Sequence, residues 1–166
     1  MNIESLEPNA LISDLVADYR KQLLNKKKEG IRLLTEFNFS KPIVLYADKY
    51  RLVRVIDNLL NNSVKFTKEG TILTTVKEGM DQQRHELIVS VKDTGIGIDP
   101  DILPKLFSKF VTKSHRGTGL GLYICKANIE AHDGRIWAEN NVVGKGATFS
   151  FSLPIVALST PNRTGH

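Results

Sequence analysis

Cysteine is almost absent from the sequence, and no apolar run reaches the ~18 residues that a membrane-spanning helix needs. The lone Cys125 excludes an internal disulfide, and no Cys/His cluster offers a structural zinc site, which favours a reducing compartment. The acidic start, residues 1–10, lacks the basic and apolar segments of a secretory signal. We therefore expect a cytoplasmic chain without direct membrane insertion, either free or as the cytoplasmic part of a membrane-anchored receptor.

The sequence also has no long tract of one charge. The net charge is +5, but the cations are scattered apart from the triplet Lys26 to Lys28, which we interpret as a solvated helix end. This distribution predicts no nucleic-acid partner and gives modest help in holding an anionic ligand. The 166 residues, of which 41% are hydrophobic, are enough for one globular domain with its own core.

Hydrophobic periodicity predicts three helices and several short strands. The first helix carries Leu11, Leu15 and Tyr19 on one face, and we expect Gly30 to stop it. The polar stretch from Gly79 to Arg84 predicts a hairpin loop. The predicted helices are 9–29, 48–66 and 118–132, and the predicted strands are 31–37, 43–46, 70–78, 86–93, 134–140 and 147–153.

The segment from Gly95 to Gly117 has no regular periodicity, and a loop of this length is typical of a lid or a binding loop. The order of elements predicts an α/β two-layer sandwich, in which helices cover one face of a mixed, mostly antiparallel sheet. We expect one domain over residues 1–157, a flexible polar tail over residues 158–166, and a monomer in isolation.

The helix over 48–66 has a polar stripe. Asn58, Asn62 and Lys65 lie at positions i, i+4 and i+7, so two amides and one ammonium project along one line. Considered on this helix alone, the pattern favours a solvated polar face. However, an amide oxygen is also a ligand for a magnesium ion that keeps its waters and phosphate oxygens, and a lysine complements phosphate.

Two glycine-containing segments are further candidates. Asp93 ends an apolar strand and precedes Gly95 and Gly97, which allow a sharp turn and a close ligand approach. This is not a dinucleotide fingerprint, because Pro100 stands where the third glycine belongs. The segment Gly117-Thr118-Gly119-Leu120-Gly121 opens a helix, which is typical of a phosphate site or of a simple hinge. There is no Gly-Lys-Ser/Thr phosphate loop and no kinase catalytic-loop signature.

The order of these motifs resembles the catalytic domain of sensor histidine kinases, which have the Bergerat ATP-binding fold shared with gyrase, a heat-shock chaperone and mismatch-repair ATPases. The shared order is an asparagine helix, Asp-x-Gly-x-Gly, the segment Leu106 to Phe110, and a Gly-x-Gly-x-Gly helix start. The resemblance covers residues 6–154. It departs from the family at Phe66, where many members have tyrosine.

The resemblance implies that ATP and Mg²⁺ bind this chain. Asn62 would ligate Mg²⁺, Asn58 would support it, and Lys65 would contact phosphate. Asp93 would accept the adenine amino group, and Gly95 and Gly97 would let the base approach. The remaining implied nucleotide contacts are Gly117, Thr118, Gly119, Leu120, Gly121 and, behind the adenine, Thr148.

The resemblance also distinguishes branches of the superfamily. Members that hydrolyse ATP carry a glutamate as general base four residues before the magnesium asparagine, and this chain has Asn58 there. An amide cannot accept the proton of water, so the sequence favours phosphoryl transfer to an external nucleophile. The alternatives are an ATP-dependent conformational binding module and a gyrase-like ATPase.

A histidine kinase of this type would phosphorylate a histidine on a separate helical dimerisation domain and act upstream of a response regulator. No histidine here fits the acceptor: we interpret His85 as a loop residue and His132 as a helix-end partner. Of the lid cations, Lys113 and Arg116 are the better candidates, ahead of Lys109, to reach the γ-phosphate when the lid closes.

Overall fold

The structure is a computed structural model that describes residues 1–112 and 118–156. In chain order its elements are β1 (Ile3–Leu6), α1 (Pro8–Asn25), β2 (Ile31–Asn38), β3 (Leu45–Asp48), α2 (Lys49–Phe66), β4 (Gly70–Asp81), β5 (Arg84–Asp93), a short 3-10 helix (Leu103–Lys105), α3 (Gly121–Glu130), β6 (Arg135–Asn140) and β7 (Ala147–Pro154).

Five strands form the main sheet in the order β2-β4-β5-β7-β6. Only the β2–β4 pair is parallel, because α2 intervenes between these strands in the chain, and every other pair in this sheet is antiparallel. The three helices pack against one face of the sheet, where alternate residues such as Val76, Val89 and Phe151 are buried. The predicted two-layer sandwich with a mixed, mostly antiparallel sheet is confirmed.

Helix α1 ends earlier than predicted, and Gly30 does not stop it. Lys27 adopts a φ of +54°, and the next residue, Lys28, donates its N–H to the carbonyl of Leu23. This is a Schellman arrangement, in which a lysine takes the left-handed position that glycine usually fills. The lysine triplet is exposed at this helix end, as expected.

Helix α2 begins where the sequence predicts, and Asp48 caps it. The Asp48 carboxylate accepts hydrogen bonds from the backbone N–H groups of Asn2 and Arg51, and these bonds hold its pKa below the usual range. The bond to Asn2 lies beside β1, a strand that we did not predict. β1 pairs with β3 in a separate two-stranded sheet, and β3 begins two residues later than expected, at Leu45.

The hairpin between β4 and β5 is tighter than the predicted loop. β4 continues to Asp81 and β5 begins at Arg84, so only Gln82 and Gln83 form the turn, and both residues have positive φ. Two positive φ angles are the mark of a type I′ turn, which usually needs Asn or Gly. Because glutamine is not one of these residues, the tight turn could not be predicted from the sequence.

Helix α1 is fastened to its neighbours by two polar side chains. The Tyr19 hydroxyl donates to Asp57 on α2, at 2.7 Å from Oδ1, and the Arg20 guanidinium donates to the carbonyl of Leu33 on β2. Burial and the adjacent Asp57 raise the pKa of Tyr19.

Among the described residues, no helix is both long and apolar enough to cross a membrane.

Candidate functional site

A cleft of about 800 Å³ opens between α2, the end of β5 and the start of α3, a size typical of small-molecule sites. Its lining combines the predicted polar residues with apolar side chains. The residues that line it are Asn58, Asn61, Asn62, Lys65, Phe66, Asp93, Ile96, Gly97, Ile98, Asp99, Pro100, Ile102, Leu106, Val111, Thr112, Thr118, Gly119, Gly121, Leu122, Ala147 and Phe149.

Asp93 lies in the wall of this cleft at the end of β5 and is only 3% exposed. Its Oδ1 atom accepts hydrogen bonds from the backbone N–H of Gly95 (2.9 Å) and of Ala147 (3.2 Å), which fix the orientation of the carboxylate. Burial raises the pKa of Asp93, and these hydrogen bonds offset only part of the shift. This carboxylate, which the family resemblance assigns to the ligand, thus also holds the backbone around it.

Gly95 is required for packing and is not among the cleft-lining residues. A Cβ atom at this position would lie 2.3 Å from the carbonyl oxygen of Phe66, at the end of α2. Gly97 does line the cleft, with a φ of +77° that favours glycine. The two glycines of the Asp-x-Gly-x-Gly motif thus differ, since the first allows the loop to pack on α2 and the second forms the wall.

The polar stripe of α2 faces the cleft, as the helical spacing predicts. Asn58, Asn62 and Lys65 all line it, and the ammonium of Lys65 lies 5.4 Å from the centre of the Phe66 ring. The described residues contain no group of three His, Cys, Asp or Glu side chains that could hold a metal. The Asn62 amide oxygen suits a cation such as magnesium, which usually keeps several waters and takes further ligands from phosphate oxygens.

The glycine-rich helix start faces the same stripe. α3 begins at Gly121 rather than at residue 118, with Leu120 as its half-buried N-terminal cap residue. The Asn58 amide fills the space beside Gly121, since a Cβ there would lie 2.7 Å from Asn58 Oδ1. The N-terminus of α3, where the first N–H groups of a helix have no partner within the helix, therefore lies directly against the asparagine stripe.

The lid segment contacts the glycine motif at its base. Gly119 has a φ of +68°, and its carbonyl accepts a hydrogen bond from the Phe110 N–H at 2.8 Å. Lys109 places its ammonium 5.0 Å from the centre of the Tyr123 ring on α3. The predicted site residues Lys113, Arg116 and Gly117 lie outside the described residues.

The structure corrects the prediction for Thr148. Its neighbours in β7, Ala147 and Phe149, line the cleft, so Thr148 projects from the opposite face of the sheet. The Thr148 hydroxyl donates to Asn141 Oδ1 at 2.7 Å. The residues behind the expected base position are therefore Ala147 and Phe149.

The apolar side of the cleft was not assigned from the sequence. Phe149 from β7 and Leu122 from α3 contribute to it, together with Ile98, Ile102 and Leu106 from the segment after Asp93. The sequence did carry a signal, because Ile102 and Leu106 belong to an apolar patch inside an otherwise polar loop. A planar apolar ligand would bury its faces here.

Two histidines were interpreted as structural, and the structure bears out one of these interpretations. His132 connects the end of α3 to the start of α2: its Nδ1 is 2.6 Å from the Asn128 carbonyl, and its Nε2 accepts the Asp48 N–H. His85 is not a loop residue, since it lies within β5 and pairs with Met80. Its neighbour Glu86 is buried and accepts a hydrogen bond from Arg135, so His85 and Glu86 both belong to the sheet.

Known proteins resemble this chain in sequence and in fold. The family described as histidine kinase-, DNA gyrase B- and HSP90-like ATPase matches residues 47–157. The chain is 42% identical over 139 residues to the phytochrome-like protein Cph1 of Synechocystis sp., covering 81% of this chain and 18% of that protein. It is 35% identical over 162 residues to the sensor protein SrrB of Staphylococcus aureus, covering 93% of this chain and 27% of that protein.

Solved structures agree with this assignment. The catalytic domain of histidine kinase ThkA is 31% identical, with a TM-score of 0.79 over 93% of this chain and 97% of that chain. ThkA in complex with the response regulator protein TrrA matches with 29% identity and a TM-score of 0.74, over 93% of this chain and 42% of that chain. The chain spans only 18% and 27% of the lengths of the two curated relatives, Cph1 and SrrB. It belongs to the histidine kinase-, DNA gyrase B- and HSP90-like ATPase family, as a catalytic ATP-binding domain of the sensor histidine kinase type.

Proposed function

We propose that this domain binds Mg-ATP and transfers the γ-phosphate to a histidine on a separate helical dimerisation domain. The observation that carries this proposal is that Asp93 and Asn62, 31 residues apart in the chain, line a single cleft. The Asp93 carboxylate would accept the adenine amino group, while the apolar side chains of the cleft would contact the base. Asn62 would hold the metal against the phosphates, with Lys65 beside it.

The chemistry of the α2 stripe favours transfer over hydrolysis. Phosphoryl transfer needs positioning and neutralisation of charge more than it needs a general base. Asn58 supplies an amide where a hydrolytic enzyme of this superfamily would carry a base, and an amide cannot remove a proton from water. The N-terminus of α3, which Asn58 contacts, would stabilise the negative charge on the phosphates.

The downstream partner in this proposal is a response regulator, as in the ThkA–TrrA complex. We further propose that residues 1–157 form the folded unit, that the isolated unit is a monomer, and that it acts in the cytoplasm. The lid cations Lys113 and Arg116 would reach the γ-phosphate.

The test is a phosphotransfer assay with a purified helical acceptor domain, radiolabelled ATP and Mg²⁺. We expect a label on the acceptor that is acid-labile and base-stable, as a phosphohistidine is, and that disappears when the acceptor histidine is replaced by glutamine. Release of inorganic phosphate by this chain alone should stay far below the transfer rate. Nucleotide binding without any transfer to several related acceptor domains would refute the kinase role.

A binding experiment tests the metal role of Asn62. We expect Asn62→Ala to remove most of the Mg²⁺-dependent gain in ATP affinity while leaving metal-free affinity within about twofold, since the amide contacts the metal and not the base. Calorimetric titration with and without Mg²⁺ measures both quantities. Asn38→Ala, which changes an exposed residue of β2, is the matched control. An equal loss with and without metal would contradict this assignment.

A further inference from the structure

Two adjacent asparagines at the β6–β7 turn contact the loop that follows Asp93. Asn140 ends β6 and Asn141 begins the turn, whereas their partners lie 42 and 48 residues earlier in the chain. Neither asparagine lines the cleft. Both act on the segment from Asp93 to Ile98, which forms one wall of it.

Asn140 binds both backbone groups of a single residue. Its Nδ2 donates to the Ile98 carbonyl at 2.8 Å, and its Oδ1 accepts the Ile98 N–H at 2.7 Å. The side-chain amide thereby replaces the strand partner that Ile98 lacks in an irregular loop. Oδ1 would also lie 3.0 Å from a Cβ on Gly97, so Asn140 packs directly behind the left-handed turn.

Asn141 holds the other end of the same loop. Its Nδ2 donates to the carbonyl of Asp93 at 2.8 Å and to that of Lys145 at 2.9 Å, while its Oδ1 accepts the Thr148 hydroxyl. The loop is therefore fixed at Asp93 by one asparagine and at Ile98 by the next. Its last two residues, Gly97 and Ile98, line the cleft.

We propose that Asn140 is a positioning residue that holds the Gly97–Ile98 peptide in the conformation that accepts the nucleotide base. The inference rests on the proposed nucleotide-binding function. A loop rich in glycine samples many conformations, and only those with an open cleft bind the ligand. Apparent affinity falls in proportion to the competent fraction, so a side chain that fixes the loop raises affinity without touching the ligand.

Calorimetric titration of ADP into the whole chain, with and without Mg²⁺, tests this role in four proteins: wild type, Asn140→Ala, Asn140→Ser and Asn38→Ala. For Asn140→Ala we expect about tenfold weaker binding under both conditions, so that the gain from Mg²⁺ is unchanged. Asn140→Ser keeps one hydrogen-bonding group and should fall between wild type and alanine. Asn38→Ala should bind as wild type does.

Hydrogen exchange of the nucleotide-free proteins provides a readout that a general loss of stability would not reproduce. In Asn140→Ala the Ile98 amide should exchange faster, while amides in the centre of β5 keep their wild-type rates. Wild-type affinity in Asn140→Ala, or faster exchange throughout β5, would overturn the inference. If the wild-type chain itself bound no ADP, the proposed function would fall, a result distinct from failure of the Asn140 role alone.

Discussion

At the scale of single residues, Asp93 combines a structural role with a proposed role in binding the nucleotide base. It is a buried carboxylate with a raised pKa, and its Oδ1 atom holds two backbone N–H groups at the junction of β5 and β7. Keeping a charge in this position costs stability, which a protein tolerates where the charge serves a ligand. A substitution that retains the shape of the side chain but removes its charge can separate the cost in stability from the proposed role in binding.

We predict that Asp93→Asn folds normally and loses nucleotide affinity. The asparagine Oδ1 still accepts the N–H groups of Gly95 and Ala147, but an amide donor replaces the oxygen that would face the base amino group. Affinity for ADP should fall roughly 10- to 100-fold, the range expected for a hydrogen bond to a charged group. Titration calorimetry measures the affinity, and circular dichroism monitors the fold. Unchanged affinity would exclude Asp93 as the base-binding residue.

Wild type and Asp93→Asn should also differ in how their free energy of unfolding depends on pH. Because the pKa of Asp93 is raised in the folded state, its ionisation weakens the fold as pH rises from the ordinary value of 3.8 through the folded-state pKa. Asp93→Asn lacks this term, so its free energy of unfolding should exceed that of wild type at pH 7, and the difference should shrink towards pH 4. Urea unfolding at both pH values measures the difference. A gap that widens on acidification would contradict the raised pKa.

Residue types were more predictable than the directions of their side chains. The helical spacing of Asn58, Asn62 and Lys65 correctly put all three on the cleft side of α2. Thr148 was misplaced, because a shift of one residue in a strand reverses the face. The role of Asn140 could not be predicted, since its partner Ile98 is remote in sequence and the contact involves backbone groups that any residue would present.

At the scale of elements, the boundaries of α2, β2, β6 and β7 followed from periodicity to within about one residue, but the ends of α1, α3 and β3 and the hairpin ends of β4 and β5 did not. α1 ends at a left-handed lysine, and the β4–β5 turn uses two left-handed glutamines, neither of which is a usual signal. β1 escaped prediction because it is four residues long and only one of its residues is buried. In each case the local sequence has only a weak preference for the observed conformation.

Two glycines, Gly121 at the start of α3 and Gly134 in the connection that follows it, give a prediction at this scale. A Cβ on Gly121 would approach the movable amide of Asn58, whereas a Cβ on Gly134 would lie 2.1 Å from the backbone oxygen of Ser152. We expect Gly121→Ala to change the free energy of unfolding by less than ~1 kcal/mol and to weaken ADP binding about tenfold. Gly134→Ala should lower stability by more than ~2 kcal/mol, because backbone cannot move aside cheaply.

Urea unfolding and ADP titration on both glycine variants separate the two roles. Gly121 makes room beside the proposed phosphate site, whereas Gly134, which follows α3, makes room for the sheet. If Gly121→Ala bound ADP as wild type does, the N-terminus of α3 would not be a phosphate contact. If Gly134→Ala were as stable as wild type, the close approach of Gly134 to Ser152 in β7 would be wrong.

At the scale of the whole molecule, nucleotide binding should be linked to global stability, and Cys125 offers a direct probe. This thiol is 1% exposed on α3, and burial raises its pKa to about 12. A thiol reagent at pH 8 should therefore react only after the chain opens, since the folded protein holds almost no thiolate. As Cys125 is the single cysteine, the labelling rate reports one event.

We predict that saturating nucleotide slows this labelling. A ligand present at 100 times its Kd stabilises the folded state by ~2.7 kcal/mol, so labelling through global unfolding should slow about 100-fold. The rate with Asp93→Asn, whose Kd we expect to be roughly 10- to 100-fold higher, should slow by only about 2- to 11-fold at the same concentration, and this variant serves as the control. A wild-type rate that is indifferent to nucleotide would mean that α3 opens locally while the cleft stays occupied. In that event α3 would not be a fixed wall of the site, and the assignment of phosphate to its N-terminus would fail with it.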